Sequence, residues 1–402
     1  MKYVVVLPDG AADEATPKLK GRTPLQVARK SNMDWVADHG RQGCVVTVPE
    51  ALLPGTDVAT LSLMGYDPLA DYTGRAPLEA VAQGIGCADD EIIFRCNFVT
   101  IAGGRMLDFT ADHISQCDAD RLIDALNEHV ADDRVRFHAG VSYRNLMIVK
   151  GLSDEGVRCT PPHDIPDQPI AAHLPTGTEA EFVCGVMERA QSVLADHEVN
   201  ALRRRRGERQ AGDIWLWGQG RPAKLEPFAK RYGCRGACIA AVDVIRGLAL
   251  AVGLDVIDVK GATGYLDTDY AAKGRATVEA LERFDLVIVH VEAADEAGHL
   301  GDAEAKVSAI EQIDEHIVGP ALDRLRRFER WRMLIAPDHP TPVDSRIHTR
   351  TPPPFCMAGA KIEASASGTF CETQAAATGW RVDPGHRLMG MFVESSTVES
   401  IG

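Results

Sequence analysis

Seven side chains with oxygen or nitrogen donors fall in four short segments, each following or ending an apolar run. They are Asp9 in VVVLPDG, Thr56 and Asp57 in PGTD, Asp295 and His299 in DEAGH, and Asp338 with His339 in APDH; His348 in IHT joins them further on. A mixed set of carboxylates and imidazoles suits Zn, Mn, Fe, Co or Ni, whereas an all-oxygen set would suit Mg or Ca. Two such ions a few Å apart can hold the attacking and leaving oxygens of an in-line displacement and lower the pKa of a bound hydroxyl. Thr56 supplies a hydroxyl on a Gly-containing turn just before a helix predicted over 58–64, where free N–H groups can receive phosphate oxygens. Taken singly, each piece has a plain structural explanation: Thr56 as an N-cap, Asp295 as a helix-start acid with His299 on the surface, Asp9 as a turn residue. Asp338-His339 is stronger, because ionisable neighbours directly after a buried strand need partners. Together, in matching strand-end contexts, they point to phosphoryl transfer on a pair of divalent ions.

The elements that must bring these segments together are legible as apolar runs. Val4 to Leu7, Phe284 to Val291 and Trp331 to Ala336 read as strands buried on both faces, as in a parallel sheet, whose ligands gather beyond the carboxyl ends of the strands. Helical patterns lie between them: Val307, Ile310, Ile313 and Ile317 share one face of a helix predicted over 303–318, and 236–252 is an Ala/Ile/Leu-rich helical run ending at Gly253. This alternation is an α/β, doubly wound signature. The middle of the chain differs, with strands expected over 91–100 and 143–150, a helix over 118–130, and a Pro- and His-rich loop over 159–175. A smaller inserted α+β domain is therefore expected at 88–222, within a discontinuous core of 1–87 and 223–402. The metal-type motifs all fall outside the insert.

With 402 residues the chain exceeds the roughly 250–300 at which one core stops growing, which fits two domains. Its formal charge of −15 argues against non-specific nucleic-acid binding, which needs a basic face. The N-terminal apolar run is too short for a signal peptide and no stretch approaches about 18 apolar residues, so no membrane partner and a cytoplasmic protein are expected. Ten cysteines without CxxC pairing read as free thiols, and Cys234 and Cys238 would lie one turn apart if their segment were helical.

The ordered set Asp9-Gly10, PGTDVATLSLMGYDP (54–68), YTGRAPLEA (72–80), HVEAADEAGHLGD (290–302), APDH (336–339) and IHT (347–349) resembles the archaeal type of 2,3-bisphosphoglycerate-independent phosphoglycerate mutases, in the alkaline phosphatase superfamily. The resemblance covers nearly the whole chain. It implies an alkaline-phosphatase-like doubly wound sheet and a glycolytic isomerase that interconverts 3-phosphoglycerate and 2-phosphoglycerate without 2,3-bisphosphoglycerate. It further implies two divalent ions, Mn first with Zn, Co or Mg as alternatives. One ion would take Asp295, His299 and His348; the other would take Asp9, Thr56, Asp338 and His339. Thr56 would carry the phosphoryl group, and the inserted domain would close over the core during the exchange. Arg75, His113, Arg144, Arg203 and Lys273 lie in segments similar to the family's substrate-holding segments. The substrate would be a small phosphorylated acid, and a homo-oligomer is compatible with the chain. Thr56 stands where the family's nucleophile is usually Ser. IWLWGQGRP (214–222) resembles a bacterial branch proposed as homoserine kinase, so a phosphotransferase or phosphohydrolase acting on another small phosphorylated acid is the alternative.

Overall fold

The computed structural model describes residues 1–394 apart from 154 and 366. It forms two compact units, one from Met1–Tyr72 with the chain from Lys224 onward, the other from Thr73–Ala223.

The larger unit is built on an eight-stranded sheet. In spatial order its strands are Arg381–Val382, Arg41–Val45, Pro354–Gly359, Trp331–Ile335, Lys2–Pro8, Leu286–Val291, Gly236–Ile239 and Asp255–Val256. The Lys2–Pro8 strand pairs in parallel with both Leu286–Val291 and Trp331–Ile335, in a register that sets Pro8 beside Val291 and Val6 beside Ile335. Three parallel strands thus end side by side, and Asp9, Glu292 and Asp338 follow those ends. Val4, Val5, Val6 and Leu7 are all buried, so this strand lacks the alternation of a half-exposed one. One sheet face packs against Leu281, Phe284, Ile310, Ile313 and Ile317 of the covering helices. The doubly wound α/β class expected from the sequence is the architecture found.

Two local readings differ from expectation. Residues 236–252 are not one helix but the strand Gly236–Ile239 followed by the helix Asp243–Ala251, so Cys238 lies in a buried strand and is not a helical turn away from Cys234. A short apolar run cannot be assigned by periodicity alone, and here burial between two strands decides it. The helix expected over 303–318 is regular only from Ala303 to Ile313; Asp314–Val318 widens into a π-helical turn before Gly319–Leu325. Pro320 has no N–H for the regular ladder, and the Asp314 carboxylate in the widened turn accepts from the Asn32 and Met33 N–H groups.

The smaller unit is a five-stranded antiparallel sheet in which Glu91–Ala102 pairs with Arg105–Asp108, Arg144–Lys150 and Asp213–Gly220, and Val135–Val141 extends it. Helices Gln116–His129 and Ala180–Ala195 cover the face bearing Phe94 and Phe98, and helix Arg75–Ala82 covers the face bearing Ile93. That last helix explains why the unit begins at Thr73 and not at the expected 88: Ala76 and Ala80 belong to the small sheet's own core. All ten cysteines are free, and no helix among the described residues is long and apolar enough to cross a membrane.

Candidate active site

Two groups of metal-type side chains form beyond the carboxyl ends of the parallel strands. Asp295 and His299 lie one turn apart on the helix Ala293–Leu300, so both point the same way. His299 Nε2 is 3.2 Å from Asp295 Oδ2, His348 Nε2 is 3.4 Å from Asp295 Oδ1, and the two imidazole Nε2 atoms face each other at 2.9 Å. In the second group, His339 Nε2 lies 3.5 Å from both Asp9 Oδ1 and Asp338 Oδ2. The Thr56 hydroxyl completes it, 3.2 Å from His339 Nε2 and 3.4 Å from Asp9 Oδ2.

Thr56 is the first residue of the helix Thr56–Leu63, and Gly55 takes the N-cap position without a side-chain bond. The capping explanation for Thr56 therefore falls away, and its hydroxyl is available to the site. Asp57 turns elsewhere: its carboxylate accepts from its neighbour Val58 N–H and from the Tyr72 hydroxyl at 2.6 Å.

The two groups are fastened together. The Thr341 hydroxyl donates to Asp295 Oδ1 and sits 3.3 Å from His339 Nδ1, touching one ligand of each set. Gly10 allows the close approach, since at φ +60° a β-carbon there would lie 2.5 Å from Asp295 Oδ1. Gly298 does the same for the helix, where a β-carbon would meet the Thr341 carbonyl at 2.4 Å. Below them Lys306 Nζ, wholly buried, donates to the Ala12 and Thr341 carbonyls and to Asp13, tying the turn after Asp9 to the turn after His339.

The electrostatics are those of a site built around positive charge. Burial and the neighbouring Asp338, Glu292 and Asp295 push the Asp9 carboxyl well above the ordinary carboxylate range. Burial also opposes ionisation of Asp295, but hydrogen bonds with His299 and His348 outweigh it and hold that group well below the usual range. The same bond lifts His299 to about 9, while burial lowers His339. Asp9 Oδ1 and Asp338 Oδ2 are buried without hydrogen-bond partners among the described residues. Buried carboxylate oxygens left without donors are costly unless a cation meets them, so the donor set fits divalent metal ions. Asp295, His299 and His348 converge as one candidate ligand set and Asp9, Asp338 and His339 as another.

The residues suggested for substrate lie in varied settings. Arg75 pairs with Glu79 at 3.1 Å. Arg144 lies 5.7 Å from the Tyr143 ring, which His113 meets edge-on at 6.0 Å. His113 ends three consecutive non-glycine residues of positive φ, Ala111, Asp112 and His113, an uncommon backbone run that costs about 1–2 kcal/mol per residue. Arg203 is buried, donating to the Arg209 and Ala111 carbonyls, and Lys273 is buried, with Nζ 3.1 Å from the His290 carbonyl.

Three residues escaped the sequence reading. His290 and Glu292 flank the strand end beside Asp9, with His290 Nε2 3.1 Å from Asp9 Oδ2. Arg95 lies buried in the smaller unit, over the Trp217 ring at 4.4 Å and 3.1 Å from Glu79 Oε2. Burial, opposed by Glu79 and reinforced by the Arg75 and Arg144 charges, lowers it to about 10. The available signal was an ionisable residue within an apolar strand, as in IIFRCNF and VIVHVEA.

Residues 37–200 match a family model described as 2,3-bisphosphoglycerate-independent phosphoglycerate mutase. A Methanothermobacter thermautotrophicus protein named 2,3-bisphosphoglycerate-independent phosphoglycerate mutase 2 is 49% identical, over 98% of each chain. A Geobacter sulfurreducens protein named a probable enzyme of this kind is 44% identical, over 98% of this chain and 100% of its own. Among solved structures, a Pyrococcus horikoshii protein superposes with a TM-score of 0.82 at 27% identity over 99% of each chain. A Thermoplasma acidophilum cofactor-independent phosphoglycerate mutase shares the fold, with a TM-score of 0.64 at 24% identity over 98% of this chain and 99% of its own.

Proposed function

This chain belongs to the 2,3-bisphosphoglycerate-independent phosphoglycerate mutase family, and from that premise we propose that it interconverts 3-phosphoglycerate and 2-phosphoglycerate through a phospho-Thr56 intermediate. The observation that carries the mechanism is the placement of the Thr56 hydroxyl, free of any capping role, within 3.4 Å of Asp9 and 3.2 Å of His339. We assign Asp295, His299 and His348 to one divalent ion and Asp9, Thr56, Asp338 and His339 to a second, with Mn the first choice for the mixed carboxylate and imidazole set. When bound, such ions lower the pKa of a coordinated hydroxyl and neutralise charge on phosphoryl oxygens.

The chain's own residues do the rest. Asp9 and His339 orient the Thr56 oxygen, and β-branching restricts its rotation. That oxygen attacks phosphorus as the hydroxyl loses its proton; the bond from phosphorus to the 3-oxygen breaks, and the 3-oxygen gains a proton. N–H groups in the first turn of Thr56–Leu63 are suited to receive phosphoryl oxygens. In the second half the 2-oxygen of glycerate attacks phosphorus as the 2-hydroxyl loses its proton; the bond from phosphorus to the Thr56 oxygen breaks, and that oxygen gains a proton to restore the threonine. A phosphoglycerate carries two anionic groups, and the smaller unit by itself sets Arg75 and Arg95 on the carboxylate of Glu79, with the Arg144 charge near enough to act on Arg95.

The test is to incubate the Mn-loaded chain with 3-phosphoglycerate and follow 2-phosphoglycerate and free phosphate together. Formation of 2-phosphoglycerate without matching phosphate release is expected. Phosphate release without 2-phosphoglycerate would overturn the mutase mechanism in favour of hydrolysis.

A further inference from the structure

Behind Asp9 lies a third group of donors that the paired-ion reading leaves unused: His290 and Glu292, the residues on either side of Val291 at the end of the strand Leu286–Val291. Their positions follow from the parallel register, which sets Leu7 beside His290 and Pro8 beside Val291, so the end of one strand delivers His290 and Glu292 against the Asp9 of its neighbour. His290 Nε2 is 3.1 Å from Asp9 Oδ2, and His290 Nδ1 is 3.5 Å from Glu292 Oε2. One donor from each of Asp9, His290 and Glu292 lies within 4.8 Å of the others.

Two features separate this group from a solvated acidic cluster. The first is that two of its donors are enclosed and unanswered: His290 is 1% exposed and Asp9 0%, His290 Nε2 and Glu292 Oε2 have no hydrogen-bond partner among the described residues, and Asp9 Oδ2, the oxygen facing His290, accepts from the Thr56 hydroxyl at 3.4 Å. His290 Nε2 reaches Asp9 at ion-pair distance but outside hydrogen-bond geometry. The second is that the neighbouring ammonium, Lys273, attracts Glu292 but directs its hydrogen bond to the main chain. Lys273 Nζ donates to the His290 backbone carbonyl, on the main-chain side of the imidazole. A buried carboxylate and a largely enclosed one, beside a buried imidazole whose Nε2 has no hydrogen-bond partner among the described residues, are costly as they stand and are what a cation with oxygen and nitrogen ligands requires.

We propose that Asp9, His290 and Glu292 form a third divalent-cation site, adjacent to the proposed Thr56 site and sharing Asp9 with it. The proposal rests on the paired-ion reading for its neighbour but on separate side chains for its own ligands. Charge supports it. Asp9, Glu292, Asp295 and Asp338 bring four carboxylates to one strand-end cluster, so two divalent ions only balance the protein. A bound phosphoryl group adds about −1.5 to −2, which a third divalent ion would offset. His290 in the set favours the same class of transition ion as at the other two positions over Mg or Ca. Asp9, offering one carboxylate oxygen to each side, would then be fixed in the orientation in which it meets Thr56.

The test counts metal on the full chain. Protein stripped with chelator is reloaded with excess Mn²⁺, freed of unbound ion, and assayed by elemental analysis, with crystals of the loaded protein measured at the Mn absorption edge. The expected result is three Mn per chain and an anomalous peak between Asp9 and Glu292. Glu292→Gln and His290→Asn, both close in shape to the native residue, should each reduce the count to two, and Asp295→Asn should remove a different ion while leaving that peak. Two Mn in the native chain, unchanged in Glu292→Gln and without the peak, overturns the third site while leaving the pair intact. Three Mn in both variants places the third ion elsewhere and overturns the assignment. Fewer than two in the native chain overturns the paired reading as well.

Discussion

Lys306→Met tests whether the two ligand-bearing turns are held by one buried charge. The ammonium of Lys306 lies 2.7 Å from Asp13 Oδ2, with side-chain exposures of 0% and 1%, and donates to the Ala12 and Thr341 carbonyls at 3.1 and 2.8 Å. Methionine keeps most of the apolar stem, so the packing loss is small. What remains is an Asp13 carboxylate that still accepts from the Glu14 and Val343 N–H groups but has no cation, and two carbonyls without a donor. Removing one partner of a buried pair costs about 3–5 kcal/mol. At about 2–4 °C per kcal/mol for a unit of some 150–250 residues, the metal-free protein should melt roughly 6–20 °C lower. Because Ala12 follows Asp9 and Thr341 follows His339, Mn affinity should also fall, by about 10–100-fold, as when a ligand's supporting partner is removed. Differential scanning calorimetry and metal titration measure the two effects. The double variant Lys306→Met/Asp13→Asn should recover part of the stability, since it removes the stranded charge. A Tm within 2 °C of the native value, or a double variant as unstable as the two single losses added, would refute the argument.

Thr56→Ala should remove phosphoenzyme formation and lower turnover by several orders of magnitude with Tm nearly unchanged, whereas Thr56→Ser should retain turnover; full activity in the alanine variant, read by coupled assay and phosphate labelling, removes Thr56 from the mechanism. In the metal-free protein His299 is raised to about 9 by Asp295, so the pair's stabilisation is complete below the unfolded value near 6.5 and is lost as pH rises through 9. Metal loading at pH 7.5 should therefore release a proton from His299, seen by calorimetry in buffers of different ionisation heat; His299→Ala should abolish that proton and lower the metal count. Lys273 shifts the opposite way: burial lowers it to about 8 from 10.5, so at this group the unfolded chain binds more protons between those values and its contribution to the stability of the metal-free protein should rise with pH there. Chemical denaturation across pH 7.5–10.5 isolates it as a difference: the stability of the native chain relative to Lys273→Met should rise through that window, because the opposing loss from His299 is common to both proteins.

Three donors of this site that can be read from the sequence, Asp9, Thr56 and Asp338, share one property: each sits in a turn or at a helix start, beside and outside the apolar run that announces it. Asp9 follows Pro8, Asp338 follows Ala336-Pro337, and Thr56 follows Pro54-Gly55, so the strand or helix is recognised first and the polar residue stands out against it. His290 and Arg95 fail that test because each occupies a position inside a strand, where alternation predicts only that a side chain faces one side or the other. Whether that side holds apolar core or a cluster of charge depends on which strand becomes the neighbour. For His290 the answer is the register with Lys2–Pro8, nearly three hundred residues away in the chain; for Arg95 it is the helix Arg75–Ala82 laid on the Ile93 face. The strand Gly236–Ile239 reads as helix in the sequence for the same reason, since its apolar residues mean strand only once Leu286–Val289 lies beside them.

That asymmetry bears on how the site is stabilised as well as how it is read. Turn residues such as Asp9 and His339 are aimed by local backbone, yet what ties them to each other and to Asp295 runs through Lys306, Thr341 and the absence of a side chain at Gly10 and Gly298. At Gly10 a methyl group must displace Asp295 or the turn, at a φ that L-residues resist, so Gly10→Ala acts on both ligand sets though neither contains it. The expected outcome is loss of Mn affinity at both positions with the far end of the sheet undisturbed, followed by hydrogen exchange in Lys2–Val6 and Leu286–Val289. Loss confined to one position would show that the two sets are held independently, and the shared fastening through Thr341 would then have no consequence for binding.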